Sequence, residues 1–500
     1  MLTNIKSPVT HSIYRADLKN KISVSQKQVR EGINAADANI IHRTQAVNAK
    51  RSYQTVEEDK VARQDILAEQ IKVWRRTLPP LLKKLSCIPD PRRPKSIKHK
   101  MVVLMIFGLL AFVFRLSSRR EMNRELTGAV INHHLQKIFP ELNSIPHADT
   151  LARLLKKINV RDIEISHIAL IKQLINGKKL KKLLINGCLP ITIDGCQKLF
   201  RNGLLHDSHW LQRTVGSKES KTDQQYVYAM EANITLKNGL SIPLLTEYLS
   251  MENNQLSNPV SKQDCELNAF ERLAERLKQH FPRLKIIVFM DSLYATQSVM
   301  GILHQCHWEY VINFSKNRLK NFAEILNKQR KARTVIPGQP YYRGRRQEFY
   351  WKNNLEHGYD WELRVSLVAC LERREEVNRQ TGSVEIKYSE HTWISSIPIS
   401  IDNAHELLNL GARKKEAIED SINTEKNRGY HYKHLFSHNW NAMRGFHLLM
   451  RLGHALNALT QFSKKLKKYV RDNGSHNKNI KIHEKLAMLL DAWVGLLRSN

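Results

Sequence analysis

Leu189-Pro190-Ile191-Thr192-Ile193-Asp194-Gly195 and Leu284-Lys285-Ile286-Ile287-Val288-Phe289-Met290-Asp291 are the two stretches that decide how this chain folds. Each is a short apolar run rich in β-branched residues, closed by an aspartate and then a break. Each therefore reads as a buried strand with the acid at its C-terminal end. A third acid, Glu419, lies in the helical stretch Lys415 to Lys426. Steps of four and seven residues nearly close whole turns, so Lys415, Glu419 and Lys426 are expected on one face.

Two strand-end aspartates and a helix glutamate make an all-oxygen donor set suited to magnesium or manganese. Two such ions about 3.5–4 Å apart can activate a water and stabilise the leaving oxygen of a phosphodiester. The plainer reading of a strand-end aspartate is a turn or cap residue. With 47 acidic residues in the chain, the trio gains weight only from its setting. Glu425 and Asp420 compete for the third place. Glu425 lies about 240° round the helix from Glu419 and Asp420 about 100°, so neither shares the Glu419 face.

Lys and Arg number 80, giving a formal charge of +33. An excess of this size opposes compactness and is unusual for an enzyme of small metabolites, so a polyanion, nucleic acid first, is the expected partner. The apolar share of 42% is that of a globular protein. Met1 to Lys19 is polar, so no secretory signal is expected. The apolar run Met101 to Phe114 is too short to span a bilayer and suits a core helix; no membrane partner is expected. Six cysteines without a CxxC pair suggest a reduced cytoplasm and no zinc or disulfide framework. His206 and His209 have no second pair at ligand spacing.

Six segments are expected. Residues 1–75 read as a polar helical or partly disordered arm. Residues 76–185 read as a helical DNA-binding domain, with a turn at Ile88 to Pro94 and a basic stretch to Lys100. Residues 186–320 pass through strand, hairpin (Asn238-Gly239 at its turn), helix, strand, helix, strand. That order suits an α+β, mixed class: a ribonuclease-H-like core with a mixed sheet and flanking helices. Residues 321–390 read as a β-rich insertion carrying Arg343, Arg345 and Arg346, with Trp351 and Trp361 as candidate base-stacking platforms. Residues 391–470 return to the core with the Glu419 helix; Trp393 reads as core. Residues 471–500 read as a C-terminal helix.

The blocks Thr192 to Gly195, Lys262-Gln263-Asp264-Cys265-Glu266, Phe289 to Tyr294, Trp393-Ile394 and Ile418 to Tyr430 follow one another in an order that resembles the DDE transposases of bacterial insertion sequences, in the group with a β-rich insertion before the last acid. Ile88-Pro89-Asp90-Pro91-Arg92 and His147-Ala148-Asp149-Thr150 resemble that family's helical N-terminal region. The resemblance implies a catalytic, metal-binding triad of Asp194, Asp291 and Glu419 with two Mg2+ or Mn2+ ions. The family's signature is Tyr-x2-Arg-x3-Glu-x6-Lys. Glu419 and Lys426 match it, whereas Ala412 stands for the Tyr and Lys415 for the Arg. Lys415 keeps the charge but not the bidentate fork.

The activity so implied is metal-dependent cleavage at terminal inverted repeats and strand transfer into target DNA. It would be carried out by a homodimer or larger assembly on double-stranded DNA, in a bacterial cytoplasm at the nucleoid. Lys415, Lys426, Arg92, Arg93, Lys95, Lys98, Lys100, Arg343, Arg345 and Arg346 are the expected DNA contacts. A catalytically decayed DNA-binding relative and a ribonuclease-H-like nuclease are the alternatives.

Overall fold

The architecture is built on a mixed sheet whose middle strands are the two quoted runs. The computed structural model describes residues 55–473, apart from 143, 179, 204–208, 218–219, 251–264, 318, 358–362 and 378–383, and then 486 and 489–495. The unit described below spans 57–470 with the described residues after 480. Of the polar arm, residues 1–54 lie outside the described residues, as do His206, Lys262 to Asp264 and Trp361, while the arm from Val56 on is helix.

The N-terminal part is helical: α1 (Val56–Ser86), α2 (Met101–Val113), α3 (Arg119–Leu126), α4 (Ala129–Ile138), α5 (Ala148–Leu155) and α6 (Arg161–Asn176). The run read as a core helix is α2, apolar on every side and buried except for half-buried Val102. Among the described residues no helix is long and apolar enough to cross a membrane.

Strands β1 (Leu189–Asn202), β2 (Leu211–Ser217), β3 (Ser220–Thr235) and β4 (Ser241–Leu249) come next. Then follow α7 (Glu266–His280), β5 (Ile286–Met290), α8 (Gln297–Gln305), β6 (Glu309–Asn313) and α9 (Lys320–Gln329). The remaining strands are β7 (Tyr341–Tyr342), β8 (Arg345–Glu356), β9 (Arg364–Val377) and β10 (Val384–Ser395). Among the described residues the ten strands form one sheet, ordered β2-β3-β1-β5-β6-β10-β9-β8-β7, with β4 also on β3. β3 pairs antiparallel with both β1 and β4, whereas β1–β5 and β5–β6 are parallel. β5 is buried along its whole length, as a parallel strand covered on both faces must be.

After β10 the chain winds through a wide π-type turn (His405–Gly411) and a tight 3-10 turn (Ala412–Lys415) into α10 (Glu416–Asn427). Two helices, α11 (Trp440–Thr460) and α12 (Lys464–Asn473), follow. On β4, Thr246 meets His447 of α11 while its neighbour Glu247 meets Arg272 and Arg276 of α7. Successive strand residues face opposite ways, so α7 and α11 cover opposite faces of the sheet.

Four features differ from the sequence reading. The chain between Asp194 and Gln225 reads as polar without strand periodicity, yet β1 continues to Asn202 and β2 follows; β2 is largely exposed, so it lacks the buried alternation that marks a strand. The β-rich insertion begins with helix α9, which turns Phe322, Ala323 and Leu326 inward. The insertion also extends the central sheet, because β10 pairs with β9 along its length and with β6 through Trp393–Ser395. Finally, the residues from about Trp440 to Val470 read as one amphipathic helical stretch, yet it breaks at 461–463, where the Ser463 hydroxyl accepts from the Leu466 amide and starts α12.

Candidate active site

Asp194 and Asp291 are carried to one end of the β1–β5 pair by strand register. The parallel ladder runs from Leu189–Ile286 to Thr192–Phe289, and each aspartate lies two residues beyond its end. Asp291 opens the short turn Ser292–Tyr294, yet its side chain caps nothing there. Its carboxylate is left for Lys415 and for the Asn313 amide, which donates across 3.4 Å.

Glu419 arrives from α10, and the lead-in turns fix its approach. The π-type turn brings Gly411 so close to the Phe289 ring that a Cβ there would lie 2.5 Å from it. Wide turns of this kind are frequent at functional sites. The tight turn that follows points Lys415 inward.

Lys415 is the hub. Its Nζ lies 2.8 Å from Asp291 Oδ2, 3.2 Å from Glu419 Oε1 and 3.8 Å from Asp194 Oδ1, and its side chain is 7% exposed. Burial works against its charge, but the three carboxylates hold the ammonium above its ordinary range. Burial pushes the Asp194 carboxyl up to about 6, against the pull of Lys415, with Glu419 and Asp291 adding like-charge repulsion. A cavity of about 280 Å³ opens beside the cluster, bordered by Asp291, Asn313, Trp393, Arg413, Lys415 and Glu419.

The donor chemistry fits a hard cation: carboxylate oxygens from Asp194, Asp291 and Glu419. The spacing is set by the ammonium instead. Among the described residues no group of three His, Cys, Asp or Glu stands close enough to hold a metal ion.

The competing acids are placed differently. Glu425 is fully buried, 3.2 Å from Arg451 and 2.7 Å from His454 Nδ1. Arg451 also reaches Glu231, directly opposite Asp194 on β3. Asp420 is half-buried and lines a small cleft with Ser421, Thr424 and His454.

Lys426 is half-buried and 5.8 Å from the Tyr432 ring; beside the Cys196 thiol on β1 its charge opposes the rise that burial imposes there. In the basic loop, Arg92 is spent on Asp90 and on the His99 carbonyl, whereas Arg93, Lys95, Lys98 and Lys100 are exposed. Arg343 bonds Glu416 and Arg345 bonds buried Glu372, while Arg346 is exposed. Trp351 is half-buried and Trp393 is core.

One neighbour of the acids entered the sequence reading only as the last residue of the block Lys262 to Glu266, with no function given to it. Glu266, at the start of α7, accepts the Tyr228 hydroxyl at 2.6 Å and the Tyr294 hydroxyl at 2.7 Å. Its carboxylate rests against Gly195, where a Cβ would lie 2.8 Å from it. The Asp-Gly pair is a sequence signal of this contact: glycine beside a candidate ligand marks a close approach.

No curated protein matches the chain. Residues 82–171, from the end of α1 into α6, match the family model described as DDE_Tnp_1-associated, a segment found in DDE transposase families. That match supports a transposase-related protein.

Proposed function

We propose that this chain is a DNA transposase that binds the terminal inverted repeats of an insertion sequence, cleaves strands there and joins the freed 3′-hydroxyls to target DNA. The observation that carries this reading is the meeting of Asp194, Asp291 and Glu419 around Lys415, drawn from within β1 (which runs on to Asn202 and does not end at the acid), from the end of its neighbour β5 and from one helix. The antiparallel β1, β3 and β4 followed by parallel β5 and β6 suit a ribonuclease-H-like core. The transposase-associated segment and the charge of +33 point the same way.

In this reading Asp194, Asp291 and Glu419 hold two magnesium or manganese ions. Bound there, the ions would supply an activated water and charge neutralisation at the leaving oxygen. The residues do the positioning. Strand register fixes the two aspartates, the turn at Gly411 fixes Glu419, and the cavity beside them leaves room for the scissile phosphate. Arg93, Lys95, Lys98, Lys100 and Arg346, all exposed, contribute sequence-independent phosphate contacts. Action on paired ends calls for a dimer or larger assembly.

The experiment is incubation with magnesium or manganese and linear DNA carrying the sequences that flank the gene on both sides. Cleavage at the repeat ends followed by joining to a second duplex supports the proposal. Cleavage without joining indicates a nuclease. Binding without cleavage in any metal indicates a decayed relative.

A further inference from the structure

We propose that Lys415 is an internal counter-ion that closes the acid site to divalent ions, so that metal entry is an exchange in which the ammonium leaves. The inference rests on the reading of the three acids as metal ligands, and it concerns this chain's own lysine.

Three observations carry it. First, the ammonium lies at 2.8, 3.2 and 3.8 Å from oxygens of all three candidate ligands, which places it between them rather than at the rim. Second, it is the most enclosed member of the group: its side chain is 7% exposed, against 23% for Asp194, 49% for Asp291 and 58% for Glu419. A lysine that only decorated a helix surface would show the opposite order. Third, the carboxylates are spaced around the ammonium, two at hydrogen-bond distance and Asp194 at 3.8 Å, and no described trio of acids stands at metal-holding distance. Magnesium demands oxygens at about 2.0–2.1 Å in near-octahedral array. The carboxylates must therefore close inward over volume that the ammonium now fills.

A divalent ion and an ammonium in one cage also repel, and burial reduces the screening that would soften that repulsion. Lys415 has somewhere to go. It borders the cavity of about 280 Å³, and its four-carbon stem can re-aim the head without moving the backbone. A phosphate in that cavity would take up the displaced ammonium. Lysine suits this double use better than arginine, because a compact point charge can leave a cage that a planar fork would lock.

Two measurements on the full-length protein test this. Mn2+ binding is titrated calorimetrically for the parent, K415M and K415Q, with circular dichroism confirming that each variant is folded. Lysine acylation at Lys415 is read by mass spectrometry in chelator and in saturating Mg2+. The exchange predicts at least about tenfold tighter Mn2+ binding in both variants, the effect of removing one unit charge about 4 Å away. It also predicts severalfold more acylation of Lys415 once Mg2+ is present. Affinity equal to or weaker than the parent's, or a Lys415 that stays protected while Mn2+ and Mg2+ bind, overturns the counter-ion role and leaves the metal cage standing. No saturable Mn2+ binding in the parent or in either variant overturns the cage itself, and the inference with it.

Discussion

Asp194 and Asp291 lie level on adjacent parallel strands, each two residues past the pair Thr192–Phe289. This fixes their relative placement through backbone hydrogen bonds rather than through side-chain contacts. Glu419 has no such constraint. It depends on the turn at Gly411 and on the bond from Lys415. The site thus has a rigid half and an adjustable half, and the substitutions below separate them.

Asp194 should give metal binding an acid limit. Its carboxyl is pushed up to about 6, chiefly by burial, and a ligand carboxylate must be ionised. Mn2+ affinity should be level above pH 6 and fall about tenfold per pH unit just below it. The same raised value stabilises the protonated folded form. The chelated parent should therefore lose stability relative to D194N as pH rises from about 4 through 6. Thermal melts of both proteins across that window, with chelator present, measure the difference, and parallel curves would contradict it.

Gly195→Ala should disturb the rigid half. The new Cβ would lie 2.7 Å from the Tyr228 hydroxyl and 2.8 Å from the Glu266 carboxylate. A cost of about 1–3 kcal/mol is expected from crowding of this kind. Y228F removes the nearest atom, so the double variant should recover part of the loss. Denaturant titration of the two single variants and the double variant gives the coupling; strict additivity would mean that the Tyr228 hydroxyl is not what the new Cβ crowds, and an unchanged stability in G195A that the glycine tolerates a side chain.

Arg451→Met should unfold the floor of the site without touching the acids. Arg451 lies between Glu231 and Glu425, all three buried. Burial opposes the charge on Glu231, but Arg451 and His447 hold its carboxyl down at about 2. That stability is present above the ordinary carboxylate range and is lost as pH falls toward 2. Removing the cation leaves two buried carboxylates unpaired and should cost about 3–5 kcal/mol. E425Q should likewise lose stability first, so reduced activity in that variant should track its folded fraction. Calorimetric melts at pH 7 check both, and an unchanged midpoint in R451M would show the network to be dispensable.

Charge reversal at Arg93, Lys95, Lys98 and Lys100 should weaken DNA binding and flatten its salt dependence. Every phosphate that is no longer neutralised lowers the slope of log affinity against log salt by about 0.9. Arg92 is left out because it braces the loop through Asp90. Binding isotherms between low and physiological salt give the slope. An unchanged slope means that this loop faces away from DNA.

The Asp291 strand, the first half of the Asp194 strand, the buried helix α2 and the hairpin at Asn238-Gly239 were legible because their signals are local; the run of β1 past Asp194 to Asn202 was not. A buried parallel strand must be apolar throughout, and a tight hairpin needs its glycine. The helix pattern around Glu419 was legible for the same reason. Lys415 could be put on the face of Glu419 by periodicity, but its inward turn follows from the irregular turns before α10, which leave no periodic mark. Glu266 stayed hidden because its partners Tyr228 and Tyr294 come from β3 and the turn after β5. Arg92 and Arg345 looked like free cations in sequence; only the fold supplies Asp90 and Glu372 in bonding position. Strand β2 escaped because an exposed ribbon has no buried face to alternate.

The central claim is that Asp194, Asp291 and Glu419 act together on DNA through bound metal. Its most direct test is cleavage of DNA bearing the element's two ends, with magnesium or manganese, by the parent and by D194N, D291N and E419Q, with DNA affinity measured on the same preparations. The account predicts that each variant keeps its affinity, since phosphate contacts come from basic side chains, while cleavage falls by on the order of 10²–10³ or more, as when one preorganised charge is removed from an active site. Cleavage at the parent's rate by all three variants would contradict it.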